Sequence, residues 1–124
     1  MPSHIRDINL WESGFLKIQW VRDHMPILEG IEKEFIDTKP FAGMKIALSV
    51  HMEAKTARLC LCLAAGGAEM YATGCNPLST QDDVAAALVH EGLNVFAVHG
   101  ATMAEYEDDL RRVLEVGPNI IIDD

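Results

Sequence analysis

The alternation of apolar and polar positions divides the chain into helices first and strands afterwards. Between residues 10 and 25, Trp11, Gly14, Ile18, Val21 and Met25 recur at helical spacing, which predicts a helix with one inward stripe. Pro26 stops it and can occupy the first turn of a second helix over 26–36, with Ile27, Ile31 and Phe35 on one face and Glu29, Glu32 and Glu34 elsewhere. After the breaker Asp37-Thr38-Lys39-Pro40 the pattern changes. Residues 43–50 form a nearly continuous apolar run, as expected of a strand covered on both faces, and His51 stands at its end. A helix follows over 54–65, with Leu59, Cys62, Leu63 and Gly66 on one face and Gly66-Gly67 as its close. Residues 68–73 then make a second short strand.

The stretch from Thr73 to Leu88 organises the rest. It leaves the strand, turns through Asn76-Pro77 and enters an Ala-rich helix over 81–91, with Ser79 or Thr80 able to cap it and Asp82 or Asp83 in the dipole-favoured first turn. Gly92 ends that helix, and 94–98 is a third strand. Thr102 and Glu105 spell a capping box for a helix with Met103, Tyr106, Leu110, Val113 and Leu114 inward, closed by Gly117-Pro118. A fourth strand over 119–122 leads to Asp123-Asp124. This alternation at short connections predicts an α/β fold: two N-terminal helices, then a doubly wound parallel sheet of about four strands. Parallel strands end on one side, so His51, Cys75-Asn76, His99 and Asp123-Asp124 are expected on one rim, where open α/β sheets bind ligands. The sequence stops directly after the fourth strand, which leaves sheet surface still to be covered and reads as an incomplete sheet.

Composition narrows the partners. At 124 residues and 49% hydrophobic content, one packed core is feasible. A net charge of -9 without any Lys/Arg cluster argues against nucleic acid. Three cysteines, Cys60, Cys62 and Cys75, with no C-x-x-C spacing, suit a reduced, cytoplasmic setting. The longest apolar run, 59–68, is too short to span a bilayer, so no membrane is expected.

The candidate chemistry is proton transfer. His51 and a carboxylate, Asp123 or Asp124, facing one pocket can relay protons to a leaving group, although a histidine at a strand end is also an ordinary structural residue. Ser79, Thr80, Asp82 and Asp83 serve equally as helix caps or ligand contacts. The scattered histidines predict no metal site, and no G-x-G-x-x-G or Walker A sequence occurs. Cys75 has no base beside it in sequence and is expected as a buried thiol.

With these residues in view, the chain resembles the N-terminal part of the adenosylhomocysteinase (S-adenosylhomocysteine hydrolase) family almost from end to end. The likeness rests on Asp7-Ile8-x-Leu10, Met25-Pro26-Ile27-Leu28, Lys39-Pro40-Phe41-Ala42-Gly43, His51-Met52 with Thr56-Ala57, Gly67-Ala68-Glu69, the run from Cys75 to Leu88, and Asn119 to Asp124. The run Asn76-Pro77-Leu78-Ser79-Thr80-Gln81-Asp82-Asp83-Val84-Ala85-Ala86-Ala87-Leu88 is the most specific of these. The resemblance implies reversible cleavage of S-adenosylhomocysteine to adenosine and homocysteine, with a tightly bound NAD oxidising the ribose 3'-hydroxyl before the thiolate is eliminated and water adds. It implies that His51 and Asp124 manage protons at the 5' carbon and that Glu53, Lys55, Thr56 and Gln81 lie where the purine is held. The rim residues Cys75, Asn76, Ser79 and Asp123 complete the expected substrate contacts.

Two departures shape the expectation. Many members carry Thr and Glu where this chain has Glu53 and Lys55, a version that looks like the archaeal and thermophile branch. This pair fits adenine and hypoxanthine equally, which makes S-inosylhomocysteine a second substrate candidate. The family continues past the paired aspartates into the remaining substrate domain and an NAD-binding Rossmann domain. These 124 residues are therefore expected to be the N-terminal part of a substrate-binding domain, inactive and without NAD unless a second chain or a longer product supplies the rest. The other possibility is a non-catalytic nucleoside-binding module assembling with itself or with homologues.

Overall fold

The computed structural model of the chain describes residues 3–123. Asp124, expected to handle protons with His51, lies outside the described residues. After a 3₁₀ turn at Ile8–Leu10, the chain forms α1 (Trp11–Asp23), α2 (Pro26–Thr38), β1 (Lys45–Ser49), α3 (Ala54–Ala65), β2 (Glu69–Thr73), α4 (Asp82–His90), β3 (Asn94–Phe96), α5 (Met103–Glu115) and β4 (Ile120–Asp123). The class is α/β, and the four strands are all parallel in the order β3-β2-β1-β4.

That order places the site. α3 and α4 carry the chain stepwise from β1 to β2 to β3, and α5 then returns it to the far side of β1. The direction of winding therefore reverses beside β1, and the crevice beyond the ends of β1 and β4 is the topological switch point, the usual ligand position in open parallel sheets. Ser49 pairs with Thr73 on one side and Asp123 on the other, so the three segments leaving these positions emerge together.

One face of the sheet is deeply covered. Ile46 and Leu48 of β1, Met70 and Ala72 of β2, and Val95 of β3 pack with Ala57, Cys60 and Leu63 of α3 and with Val84, Ala85 and Leu88 of α4. α1 lies over α4 so closely that a Cβ at Gly14 would stand 1.9 Å from the backbone oxygen of Asp83, so only glycine fits there. The opposite face is thinner: Ala47, Tyr71 and Phe96 meet Val113 of α5.

Several details depart from the apolar pattern. In α2 the inward line is Leu28, Glu32 and Phe35, not Ile27, Ile31 and Phe35; Ile27 is 81% exposed. The cause is electrostatic: Arg58 of α3 points inward and holds Glu32 at 2.6 Å, which turns α2 so that a carboxylate takes the position expected of an isoleucine. α2 also runs two residues further than expected, to a left-handed Lys39 at φ +47. Met103 and Leu114 of α5 are exposed rather than inward, whereas Asp109 is buried against His4 Nδ1 at 2.9 Å. That pairing follows from the N-terminal stretch, where His4 extends the sheet by bonding to Val95 and Ala97 along the outer edge of β3. The capping box of Thr102 and Glu105 forms as expected. Neither Ser79 nor Thr80 caps α4: Gln81 is its N-cap, and Asp82 and Asp83 fill its first turn.

Candidate functional site

The β1–α3 and β2–α4 connections build the site together. The Gln81 N–H donates to the Met52 carbonyl at 2.9 Å, which ties the two connections and brings His51 beside the loop from Cys75 to Ser79. His51 Nδ1 lies 2.7 Å from Ser79 Oγ and 3.3 Å from Cys75 Sγ. Ser79 Oγ in turn donates to the Asn76 carbonyl at 2.9 Å. A serine hydroxyl has one proton, so with that proton committed to Asn76, Nδ1 of His51 is the donor to Oγ. Nε2 is then the basic nitrogen. This tautomer suits a general base or, once protonated, a general acid.

Around it lies an open cleft of about 460 Å³ lined by Val50, His51, Glu53, Lys55, Thr56, Ser79 and Gln81. Five of the expected purine and proton-handling residues thus share one cavity, together with Ser79. Glu53 also caps α3, its carboxylate accepting from the Thr56 N–H at 2.9 Å and from Thr56 Oγ1 at 3.3 Å. Lys55 is exposed at the mouth, Thr56 is buried, and the Gln81 amide oxygen accepts from Lys17 Nζ at 3.3 Å. Asn76 sits at the turn itself, its Oδ1 accepting from the Leu78 N–H at 2.8 Å.

Asp123 ends β4 on the other side of β1 and lines a smaller apolar cavity of about 130 Å³ with Ser49, Leu110 and Ile121. Between Asp123 and the β2 loop stands Tyr106, expected only as a core residue. Its hydroxyl donates to the Cys75 carbonyl at 2.9 Å, and burial, then Cys75, then Asp123 push its phenol above the ordinary value. Helical spacing alone could not have separated it from its apolar neighbours in α5. Cys75 departs from its expected burial: the thiol is partly exposed and has His51 beside it. The imidazole absent beside it in sequence arrives from β1, with its Nδ1 side toward Sγ.

His99 is on the rim but tied down. Its Nδ1 donates to the Thr80 carbonyl at 2.9 Å, its N–H donates to Asp82 Oδ1, and Arg6 holds both Asp82 and the His99 carbonyl. For His99, Thr80 and Asp82 these hydrogen bonds give a structural role. Among the described residues no cluster of three or more His, Cys, Asp or Glu can hold a metal, and no helix is long and apolar enough to cross a membrane.

The described residues do not fit a dinucleotide. A pyrophosphate needs a helix N-terminus with exposed N–H groups and glycine beside it. Here Glu53 occupies that position on α3, Asp82 and Asp83 on α4, and Glu105 on α5. Gly74 follows β2, but Thr80 Oγ1 already fills the space a Cβ would take there.

A family model for S-adenosyl-L-homocysteine hydrolase matches residues 2–124. The chain is 53% identical over 120 residues to the S-inosyl-L-homocysteine hydrolase of Methanocaldococcus jannaschii, covering 97% of this chain and 29% of that protein. It is 50% identical over 124 residues to the S-inosyl-L-homocysteine hydrolase of Methanothermobacter thermautotrophicus, covering 100% and 30%. It is also 50% identical over 120 residues to the adenosylhomocysteinase of Pyrococcus abyssi, covering 97% and 28%. The chain spans less than a third of the length of these relatives.

Proposed function

The chain belongs to the S-adenosyl-L-homocysteine hydrolase family, and from that we propose that it is the N-terminal part of the substrate-binding domain of a hydrolase that splits a purine-nucleosidyl homocysteine thioether. The observation that carries this reading is His51, oriented by Ser79 and Cys75 at the reversal of the sheet, beside a cleft lined by Glu53, Lys55, Thr56 and Gln81. In this proposal His51, acting through Nε2, and Asp124 exchange protons with the groups at the 5' carbon. Cys75, Asn76, Ser79 and Asp123 shape the ribose side, and the Glu53–Lys55 pair faces the purine edge.

S-adenosyl-L-homocysteine is the substrate the family description gives. S-inosyl-L-homocysteine is the second reading, favoured by the names of the relatives in Methanocaldococcus jannaschii and Methanothermobacter thermautotrophicus. NAD, the redox partner implied by the resemblance, would be held by residues outside this segment. The segment alone is then inactive and depends on the remaining polypeptide or on an assembled partner chain. Calorimetric titration with adenosine and then inosine tests this. Saturable binding of one nucleoside, abolished by His51→Ala with Lys55→Ala, is the expected result and names the base. Binding that survives both substitutions unchanged would place the nucleoside elsewhere and sink the reading.

A further inference from the structure

A separate cavity of about 290 Å³ lies among α1, α2, α3 and α4 and shares no lining residue with the His51 cleft. Phe15, Ile18, Ile36 and Leu61 make much of its wall apolar, and Arg22 and Arg58 add two guanidinium groups. Arg58 sits in α3 with its side chain 3% exposed. Nη1 reaches Glu32 Oε2 at 2.6 Å, whereas Nε and Nη2, both buried, have no hydrogen-bond partner among the described residues. These two nitrogens flank the same edge of the planar guanidinium, the fork that grips a carboxylate by two parallel hydrogen bonds. Native proteins rarely leave buried donors of a cation unmade, because each forfeits its hydration without replacement.

We propose that this cavity binds a small monocarboxylate with an apolar body, its carboxylate held side-on by Arg58 and its body against Phe15, Ile18 and Leu61. The wall charges select the class. Arg22 and Arg58 are balanced by Glu32 and Glu91, so a polyanion meets no excess of positive charge, while a single carboxylate needs only the unpartnered edge of Arg58. Nε and Nη2 are themselves buried, so in this proposal the acid is admitted by a rotation of the flexible arginine stem that turns the fork toward the cavity while Glu32 holds Nη1. The volume is at the small end of ligand pockets, which favours a compact aliphatic or monocyclic acid over a nucleotide.

The test is an NMR titration of the ¹⁵N-labelled 124-residue chain with butyrate, benzoate, butyramide and inorganic phosphate, following the Arg58 Nε–H signal and the amides of Ile18 and Leu61. Butyrate or benzoate is expected to shift all three saturably, and butyramide and phosphate to leave them in place. Arg58→Lys keeps a cation for Glu32 but removes the fork, so carboxylate affinity should fall about tenfold. Where that variant proves unfolded, the comparison of butyrate with its isosteric amide on the unaltered chain decides. Butyramide binding as tightly as butyrate, phosphate giving the same shifts, or no saturable shift with either acid would overturn the assignment.

Discussion

The two sides of β1 treat their rim residues differently. On the β2–β3 side the polar groups are consumed by the fold: Thr73 Oγ1 donates to the Phe96 carbonyl, His99 to the Thr80 carbonyl, and Asp82 accepts from Arg6 and from the His99 backbone. His4 covers the outer edge of β3 as well. At the ends of β1 and β4, by contrast, His51 and Asp123 are exposed, Ile121 is 58% exposed, and among the described residues β4 pairs with β1 alone. Both sides have the same kinds of residue at the ends of parallel strands. What separates them is topology: stepwise crossovers pack strand-end residues against the next connection, and the reversal beside β1 leaves a crevice, the position at which open parallel sheets usually bind ligands.

The largest expected contrast is in packing. Phe96 is fully buried between β2, β3 and α5, and Phe96→Ala should cost about 3–5 kcal/mol. Ile121→Ala on the open side should cost less than about 1 kcal/mol, because most of that side chain is already in water. Urea midpoints of the two variants test the pair. Equal losses would mean that the β4 side is covered in solution, for instance by a second copy of the chain.

Next comes the ion pair between α2 and α3. Glu32→Gln leaves Arg58 buried without its counter-charge and should cost about 3 kcal/mol. The hydrogen bond from Arg58 holds the Glu32 carboxyl below its ordinary value, against the opposing effect of burial. A lowered folded value means that this stability is fully present above the unfolded value, about pH 4.3, and is lost as the pH falls through the folded one. Urea melts between pH 7 and acid should therefore steepen at low pH for the native chain and flatten for Glu32→Gln; identical acid limbs would remove the pair from the account. Smaller still, Gly14→Ala should cost about 1–3 kcal/mol by forcing α1 off the Asp83 carbonyl.

Legibility in the sequence follows the same division. Local chemistry was readable wherever it was sufficient: α3 has the expected bounds, the Thr102–Glu105 box forms, and the run after β2 delivers its turn where Asn76-Pro77 stand. The alternation of elements also gave the parallel sheet and the shared rim. Pairings between distant charges were not readable. Glu32 was placed outward because acidic residues in helices usually are, and only Arg58, 26 positions away and on the inward side of α3, reverses that. One signal was available: Arg58 precedes Leu61 and Cys62 by three and four residues, so an inward arginine demanded an acid from another helix. In the cleft, proximity in space to His51 changed the meaning of Cys75, and nothing near Cys75 in sequence announced it.

Cysteine reactivity sharpens the comparison at the smallest scale. Burial pushes the Cys60 thiol up to about 12 and raises that of Cys62 as well; Cys60 lies under the covered face of the sheet and Cys62 is buried against Leu28 of α2. Cys75 is partly exposed at the rim, with Sγ 3.3 Å from the ring nitrogen that Ser79 orients. A thiol reacts as its thiolate and only where a reagent can reach it. At neutral pH iodoacetamide should therefore label Cys75 well before Cys60 and Cys62, by a factor of about ten or more, and the order should vanish in urea, where burial no longer separates the three. A nucleoside seated against His51 should slow the labelling of Cys75 while leaving the other two unchanged. Mass spectrometry of the labelled peptides measures all three at once. Equal labelling of Cys60 and Cys75 in the folded chain would mean that the covered face opens as readily as the rim, and the division between a sealed side and a working side would fail with it.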